Sequence, residues 1–226
     1  MRNDVVDFVT EAVSSLSLPG PVVEIGARPA DGQEDSVDFR SFFPNTPYVG
    51  CDIQSGPRVD QIEDAHHLSF DDNSVGTVLA LDTLEHVRDP IRVVEELHRV
   101  VKPGGFLLMS SVMFFPIHAH PWDYWRFTPE GFGQLLAPFP SSMVMAIGWE
   151  PMPETVLGIG VKQPNFEITP EMFPETSRHA AEWGHGLRVD LGPLRMSARQ
   201  SWSIAMRATV DALKERALRL GGLRRT

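Results

Sequence analysis

The sequence predicts an α/β fold, a seven-stranded and mostly parallel sheet flanked by helices, with a C-terminal helical extension. Three observations predict it. Short apolar runs end in glycine or an acid, as buried parallel strands do. Residues 74–112 read as strand, helix, strand with short joints, a βαβ unit whose strands run parallel with a right-handed crossover. Four successive strands also end in polar residues, which a parallel sheet gathers on one rim.

The elements follow in order. A first helix runs from about Asp4 to Leu16, capped by Asn3 or Asp4, with Val6, Val9, Val13 and Leu16 on one face. Pro19-Gly20-Pro21 stops it. Val22 to Gly26 is the first strand, and a polar loop from Ala27 to Ser36 leads to a short helix over 37–43. Tyr48 to Ile53 is the second strand, Val59 to Glu63 a weaker third, and Ser74 to Leu81 the fourth. Asp89 caps the clearest helix, with Pro90 in its first turn and Ile91, Val94, Leu97, His98 and Val101 on one face. Lys102-Pro103-Gly104-Gly105 ends it before a fifth strand, Phe106 to Val112. After an aromatic and histidine-rich loop, Thr128 caps a helix reaching about Leu136. Met143 to Trp149 and Thr155 to Val161 form a late hairpin. Residues 163–196 show no clean period, and a basic amphipathic helix is expected from Ser197 to Leu220. Residues 1–161 thus read as the ligand-binding domain. Residues 162–226 read as an irregular segment and helix, packed on the same domain or in a homodimer contact through Trp183 and His185.

Composition narrows the function. The chain has 226 residues, 42% hydrophobic and 22% charged, which suits one globular domain with an appendage. Its net charge of −10 argues against a nucleic-acid partner. Cys51 is the single cysteine, so no intramolecular disulfide forms. No apolar run approaches the ~18 residues of a membrane span, and the N-terminus lacks a signal-peptide pattern. The cytoplasm is the expected location, without stable membrane insertion.

The residues at the strand ends carry the chemistry. Gly26 ends the first strand, where a ligand approaches the backbone closely. Asp52 ends the second, placed to accept hydrogen bonds from ribose hydroxyls or to cap the following turn. Asp64-Ala65 follows the third strand, where an adenine amino group needs an acceptor, though Asp64 also suits a cap. Leu81-Asp82 ends the fourth strand, with His86 just beyond it.

The order VVEIG, YVGCDI, EDAHHLSFDDNSVGTVLALDTLEHV, DPIRVVEELHRVVKPGGFLLMS resembles the class I methyltransferases, specifically the type 11 methyltransferase group, across about Val22 to Leu136. The resemblance implies a Rossmann-like sheet of order 3-2-1-4-5-7-6 with the seventh strand antiparallel. It implies S-adenosyl-L-methionine as donor and S-adenosyl-L-homocysteine as product. Asp52 and its neighbour Ile53 would lie at the ribose, and Asp64 and Ala65 at adenine. Glu24, Gly26 and Ala27 would line the methionine portion, with Leu81 and Asp82 beside the sulfonium. Two positions depart from the group. Gly26 is followed by Ala27-Arg28-Pro29 instead of further glycines, and Arg28 is a candidate partner of the donor carboxylate. Gly76 stands where relatives often carry an acid.

His118 to Thr128 resembles an H-x-x-P-x-D-Y-W-R-F-T run found in a subset of these enzymes. It is expected over the active-site rim, as an acceptor pocket formed by Asp123, Tyr124, Trp125 and Arg126 or as a plug with Asp123 and Arg126 paired and the aromatics buried. His86, His118 and His120 are the candidate general bases for a hydroxyl acceptor. His118, His120 and Asp123 are conceivable metal ligands, but no fourth ligand is evident, and no metal is expected. By analogy with the group, the expected reaction is methyl transfer to a hydroxyl or amine of a small-molecule acceptor in biosynthetic metabolism. The rivals are a donor-binding relative without turnover and a nicotinamide oxidoreductase, the latter lacking G-x-G-x-x-G after the first strand.

Overall fold

The computed structural model describes residues 2–30, 32–149, 152–185, 188–191 and 194–197. It divides into two compact units, Met1–Ala180 and Ala181–Thr226, so the first unit extends past residue 161. The first holds a seven-stranded sheet of order β3-β2-β1-β4-β5-β7-β6. Its strands are β1 (Val22–Ile25), β2 (Tyr48–Asp52), β3 (Gln61–Ile62), β4 (Val75–Leu81), β5 (Val101–Val112), β6 (Ser141–Trp149) and β7 (Met152–Val161). β1 to β5 are parallel, and β7 runs antiparallel to both β5 and β6. Sheet and order are those expected from the sequence. In the second unit the described residues form a hairpin, β8 (Arg188–Leu191) with β9 (Leu194–Ser197). The helix expected over 197–220 lies outside the described residues, apart from Ser197, which ends β9.

Why the central strands sit where they do is plain from their residues. β4 (VGTVLAL) is buried along its whole length, as a strand covered on both faces must be. Gly76 within it lies against the backbone of Pro19 and Gly20, so a Cβ there would come 2.2 Å from the Pro19 carbonyl oxygen. An acidic side chain has no room at this position.

Helix α2 (Pro90–Val100) is capped as its sequence demands. The Asp89 carboxylate accepts from Arg92 N–H at 3.0 Å. Its core face differs from the expected one. Pro90, Val93, Val94, Leu97 and Val100 are buried, whereas Ile91 is 64% exposed. The reason is geometric. Positions 90, 93, 94, 97 and 100 share one 3.6-residue stripe, and Ile91 lies about 100° round from its start. Val93, Val94, Leu97 and Val100 pack with Val78, Ala80, Leu107 and Met109 of the sheet. Each large side chain so buried stabilises the fold by about 1.5–3 kcal/mol.

Helix α1 (Asn3–Ser15) shifts in the same way, burying Val5, Phe8, Val9, Glu11 and Ala12 instead of Val6 and Val13. Neither Asn3 nor Asp4 caps it; Arg2 holds the cap position and Asp4 turns to Thr155. Helix α3 (Pro129–Leu135) begins at the expected cap, Thr128 Oγ1 accepting from Gly131 N–H at 3.0 Å. The segment without a clean period contains helix α4 (Pro174–His185).

Candidate functional site

Because β1 to β4 are parallel neighbours, their C-terminal ends share one rim. Gly26 follows β1 with φ 79°, and its N–H, like that of Ala27, donates to the Cys51 carbonyl at the end of β2. The Thr83 hydroxyl, just past β4, lies 3.0 Å from both the Ile25 and Leu81 carbonyl oxygens and clips β1 to β4. Asp52 accepts from Gln54 N–H at 3.0 Å and from Arg28 N–H at 3.4 Å, one bond on each oxygen. A carboxylate has about four acceptor positions, so Asp52 retains capacity for two ribose hydroxyls. Ile53 beside it is 67% exposed at the same rim.

Asp64 accepts from His66 N–H at 2.9 Å and meets His66 Nδ1 at 2.7 Å, which holds its carboxyl below the usual range. It thus pins the turn, while its side chain stays half exposed and able to accept from a ligand. Ala65 beneath it is buried.

Glu24 points elsewhere. It is buried and accepts from the Tyr48 hydroxyl at 2.7 Å. Burial pushes its pKa above the ordinary 4.5, and the Tyr48 bond pulls it partly back. The folded protein therefore binds a proton there before the unfolded chain does. Glu24's contribution makes stability fall as pH rises from about the ordinary carboxyl value through the raised one. Tyr48→Phe is expected to cost about 1–2 kcal/mol at neutral pH, by denaturant melts. The deficit should narrow in acid, where Glu24 is protonated. A deficit that is flat with pH would remove Glu24 as its cause.

A polar cluster lies past β4 and β5. Asp82 has φ 48° and donates its N–H to the Ser110 carbonyl and hydroxyl. Asp82 Oδ1 accepts from the Ser110 hydroxyl and from Arg2 Nη2, both at 2.7 Å. Arg2 Nη1 donates to the Thr155 hydroxyl, which donates to Asp4. Burial opposes the Arg2 charge, but Asp82 and Asp4 outweigh it and keep its pKa above the ordinary value. Glu85 is fully buried. Its Oε2 accepts from the Ser111 hydroxyl at 2.7 Å, and its Oε1 has no hydrogen-bond partner. Burial, then the nearby Asp82 charge, push the Glu85 carboxyl up to about 7.

The 113–127 loop is tied down over this cluster. Tyr124 N–H and Trp125 N–H donate to the Glu85 carbonyl, and Trp125 Nε1 donates to the Val87 carbonyl at 2.9 Å. Arg126 grips both oxygens of Asp123, at 2.6 and 2.7 Å, which holds that carboxyl far below its usual range. Asp123 and Arg126 are therefore the loop's own clamp. Only Phe127 of the run's aromatics is buried; Trp122, Tyr124 and Trp125 are 52%, 41% and 42% exposed. Neither expected arrangement, pocket or plug, describes the loop alone. It is a clamped frame presenting aromatic faces.

Of the three candidate histidines, two meet. The His86 and His118 rings stand edge to face with centroids 4.8 Å apart. His120 is exposed further along the loop. Arg2, Glu85, Ser110, Ser111 and Thr155 were not among the sequence-derived candidates. The Ser110-Ser111 pair at the end of an apolar strand was the available signal for the buried acid. Arg2, 80 residues from Asp82, gave none.

Comparisons with known proteins agree with this geometry. Residues 48–109 match the family model described as a methyltransferase domain. A demethylmenaquinone methyltransferase of Staphylococcus epidermidis is 36% identical over 77 residues, 33% of this chain. That match spans only 32% of the relative's length. Among solved structures, a SAM-dependent methyltransferase from Archaeoglobus fulgidus has a TM-score of 0.55 at 13% identity, covering 71% of this chain and 95% of that one. A possible histamine N-methyltransferase from Thermotoga maritima has a TM-score of 0.51 at 20% identity, covering 69% and 89%. The structural likenesses show the fold, and the methyltransferase-domain match implies S-adenosylmethionine as the cofactor. By its sheet order and these likenesses, the chain has the fold of the class I S-adenosylmethionine-dependent methyltransferases, and its residues 48–109 match the methyltransferase-domain model.

Proposed function

We propose that the chain transfers the methyl group of S-adenosylmethionine to a hydroxyl or amine of a small molecule with an apolar body. The observation that carries this reading is the shared rim: Gly26, Asp52, Asp64 and Asp82 stand at or just past the C-terminal ends of four neighbouring parallel strands, and the clamped aromatic loop is tied to Glu85 just beyond the last of them. Asp52 would hold the ribose, Asp64 and Ala65 the adenine, and the backbone at Gly26, Ala27 and Arg28 the methionine end. Leu81 and Asp82 would lie toward the sulfonium. Tyr124 and Trp125, with Trp122, would take the acceptor's apolar body.

The donor's methyl carbon is already activated by positive sulfur. The acceptor's lone pair must come within about 3–3.5 Å of it, in line with the breaking C–S bond. The pair in that bond stays on sulfur, and S-adenosylhomocysteine leaves. The acceptor's proton is lost to a base or to solvent. In a site without a metal ion, His86 or His118 would serve as that base.

Two measurements test this. Wild-type protein should bind S-adenosylhomocysteine in calorimetry, and Asp52→Asn should weaken it about 10–100-fold by removing a charge-assisted acceptor. Equal affinity would remove Asp52 from the donor site. Labelled donor should then pass its methyl group to a member of a panel of phenols, quinols and amines. The demethylmenaquinone relatives supply the quinol arm and no more, since the match covers a third of their length. A second reading, donor binding without turnover, is favoured by Ala27-Arg28-Pro29 in place of further glycines. Binding without transfer to any acceptor would select it.

A further inference from the structure

We propose that Glu85, His86 and His118 form a site for a divalent transition-metal ion on the acceptor side of the rim. One ligand atom from each of these residues lies within 4.8 Å of the other two. Ligand bonds of about 2.0–2.2 Å place atoms of a tetrahedral set roughly 3.4 Å apart. The three side chains would therefore close by about an ångström.

The histidines are oriented for it. His86 Nδ1 lies 2.7 Å from the Trp122 carbonyl oxygen. A carbonyl only accepts, so Nδ1 carries the hydrogen and Nε2 keeps its lone pair. His118 Nδ1 lies 3.2 Å from the Pro116 carbonyl oxygen and 3.3 Å from Asp123 Oδ2, which fixes its hydrogen in the same place. A ring N–H given to a carbonyl or carboxylate is the outer support that metal-binding histidines usually have.

Glu85 supplies the independent observation. It is wholly buried, and its Oε1 has no partner although Oε2 is bonded to Ser111. A buried acceptor without a donor is costly, and a cation would satisfy it. Asp123, the acid expected from the sequence beside His118, is not available, because Arg126 holds both its oxygens. The local charges do not forbid a cation. Arg2 and Arg126 face Asp82, Asp123 and Glu85.

Two imidazoles and one carboxylate suit zinc, iron, cobalt or nickel better than magnesium or calcium. Three protein ligands leave a position open, as in catalytic sites. The role, which rests on the acceptor placement proposed above, is to take the acceptor's oxygen at that open position. Coordination lowers the pKa of its O–H, the proton passes to solvent, and the oxygen pair forms the new bond to the methyl carbon as the C–S bond breaks.

The test uses the full chain, stripped with a chelator and titrated with cobalt(II) chloride by visible absorption and calorimetry. Wild-type protein should bind one equivalent with ligand-field bands of a nitrogen- and oxygen-ligated ion. His118→Ala and Glu85→Gln should each weaken binding at least about 10-fold. His179→Gln, which removes a histidine outside the cluster, should bind as wild type. S-adenosylhomocysteine affinity, measured on the same samples, separates the two claims. Cobalt binding without it keeps the metal site and fails the donor reading. His118 lies on a half-exposed loop, so its variant should fold, as circular dichroism will check. No stoichiometric cobalt in wild-type protein, or equal binding by wild type and both variants, overturns the proposal.

Discussion

Gly26→Ala is expected to destabilise the protein by about 2–4 kcal/mol and to weaken S-adenosylhomocysteine binding in whatever fraction folds. Two separate effects add. The backbone at Gly26 has φ 79°, a conformation that costs an L-residue with a Cβ roughly 1–2 kcal/mol. A Cβ there would also stand 2.4 Å from the Thr83 hydroxyl oxygen. That hydroxyl cannot simply turn away, because it lies 3.0 Å from the carbonyls of Ile25 and Leu81 and ties β1 to β4. Moving it loosens the rim on which the donor is proposed to sit. Urea melts of Gly26→Ala, Thr83→Ala and the double variant separate the terms. Thr83→Ala should relieve the collision and leave the backbone cost, so the double variant should be more stable than the sum of the singles predicts. A Gly26→Ala protein within about 0.5 kcal/mol of wild type would mean that neither constraint operates.

Gly26 also shows which parts of the molecule were legible in the sequence. A glycine closing a short, mainly apolar strand is a local signal, and so are Asp89 before Pro90 and Thr128 before Pro129. Each of these appears where local chemistry puts it. Features fixed by distant partners were not legible. Helix α4 starts after residues with no period, because its first turn is capped from α1. Glu11, a buried acid on the apolar face of that helix, accepts from the N–H groups of Glu175 and Thr176 and from the Thr176 hydroxyl. Sequence spacing cannot announce a cap supplied from over 160 residues away. The buried faces of α1 and α2 differ from the expected ones for a related reason. Val6, Val13 and Ile91 are apolar, and only packing decides which of two overlapping stripes is covered.

The site divides along the same line. Asp52 and Asp64 end short strands and were readable as such. The Asp123–Arg126 pair sits three residues apart and was readable as a pair. That Trp122, Tyr124 and Trp125 stay exposed was not, since the loop is held by backbone bonds to Glu85 that leave no trace in side-chain pattern. Glu85 itself looked like one polar residue in a short turn. Its burial depends on the serines just before the last residue of β5 and on the loop closing above it.

Arg2→Met should cost about 1–3 kcal/mol, between an exposed pair and a fully buried one. The middle of the range follows from the geometry. The Arg2 and Asp82 side chains are 21% and 24% exposed, so water screens the pair only in part. Methionine keeps most of the length and apolar volume of the arginine stem, so packing loss is small. What disappears is the cation. Asp82 would then face the buried Glu85 with only the Ser110 hydroxyl and its own backbone to steady it. Thr155 would keep its bond to Asp4 and lose the guanidinium, and Phe115 would lose the charge 5.9 Å from its ring. A double-mutant cycle with Asp82→Asn isolates the charge term. With Asp82 neutral, the Arg2→Met penalty should fall below about 1 kcal/mol, because the acid bonded directly to Arg2 is no longer left uncompensated, although Asp4 and Glu85 stay nearby. An equal loss in both backgrounds would assign Arg2 a packing role only. The cycle bears on the donor site as well as on stability. Asp82 is the rim residue assigned to the sulfonium end, and the same oxygen that accepts from Arg2 accepts from Ser110. An N-terminal residue therefore sets the charge of the rim at the point where a positive ligand is proposed to arrive, and donor affinity should rise in Arg2→Met even as the fold weakens.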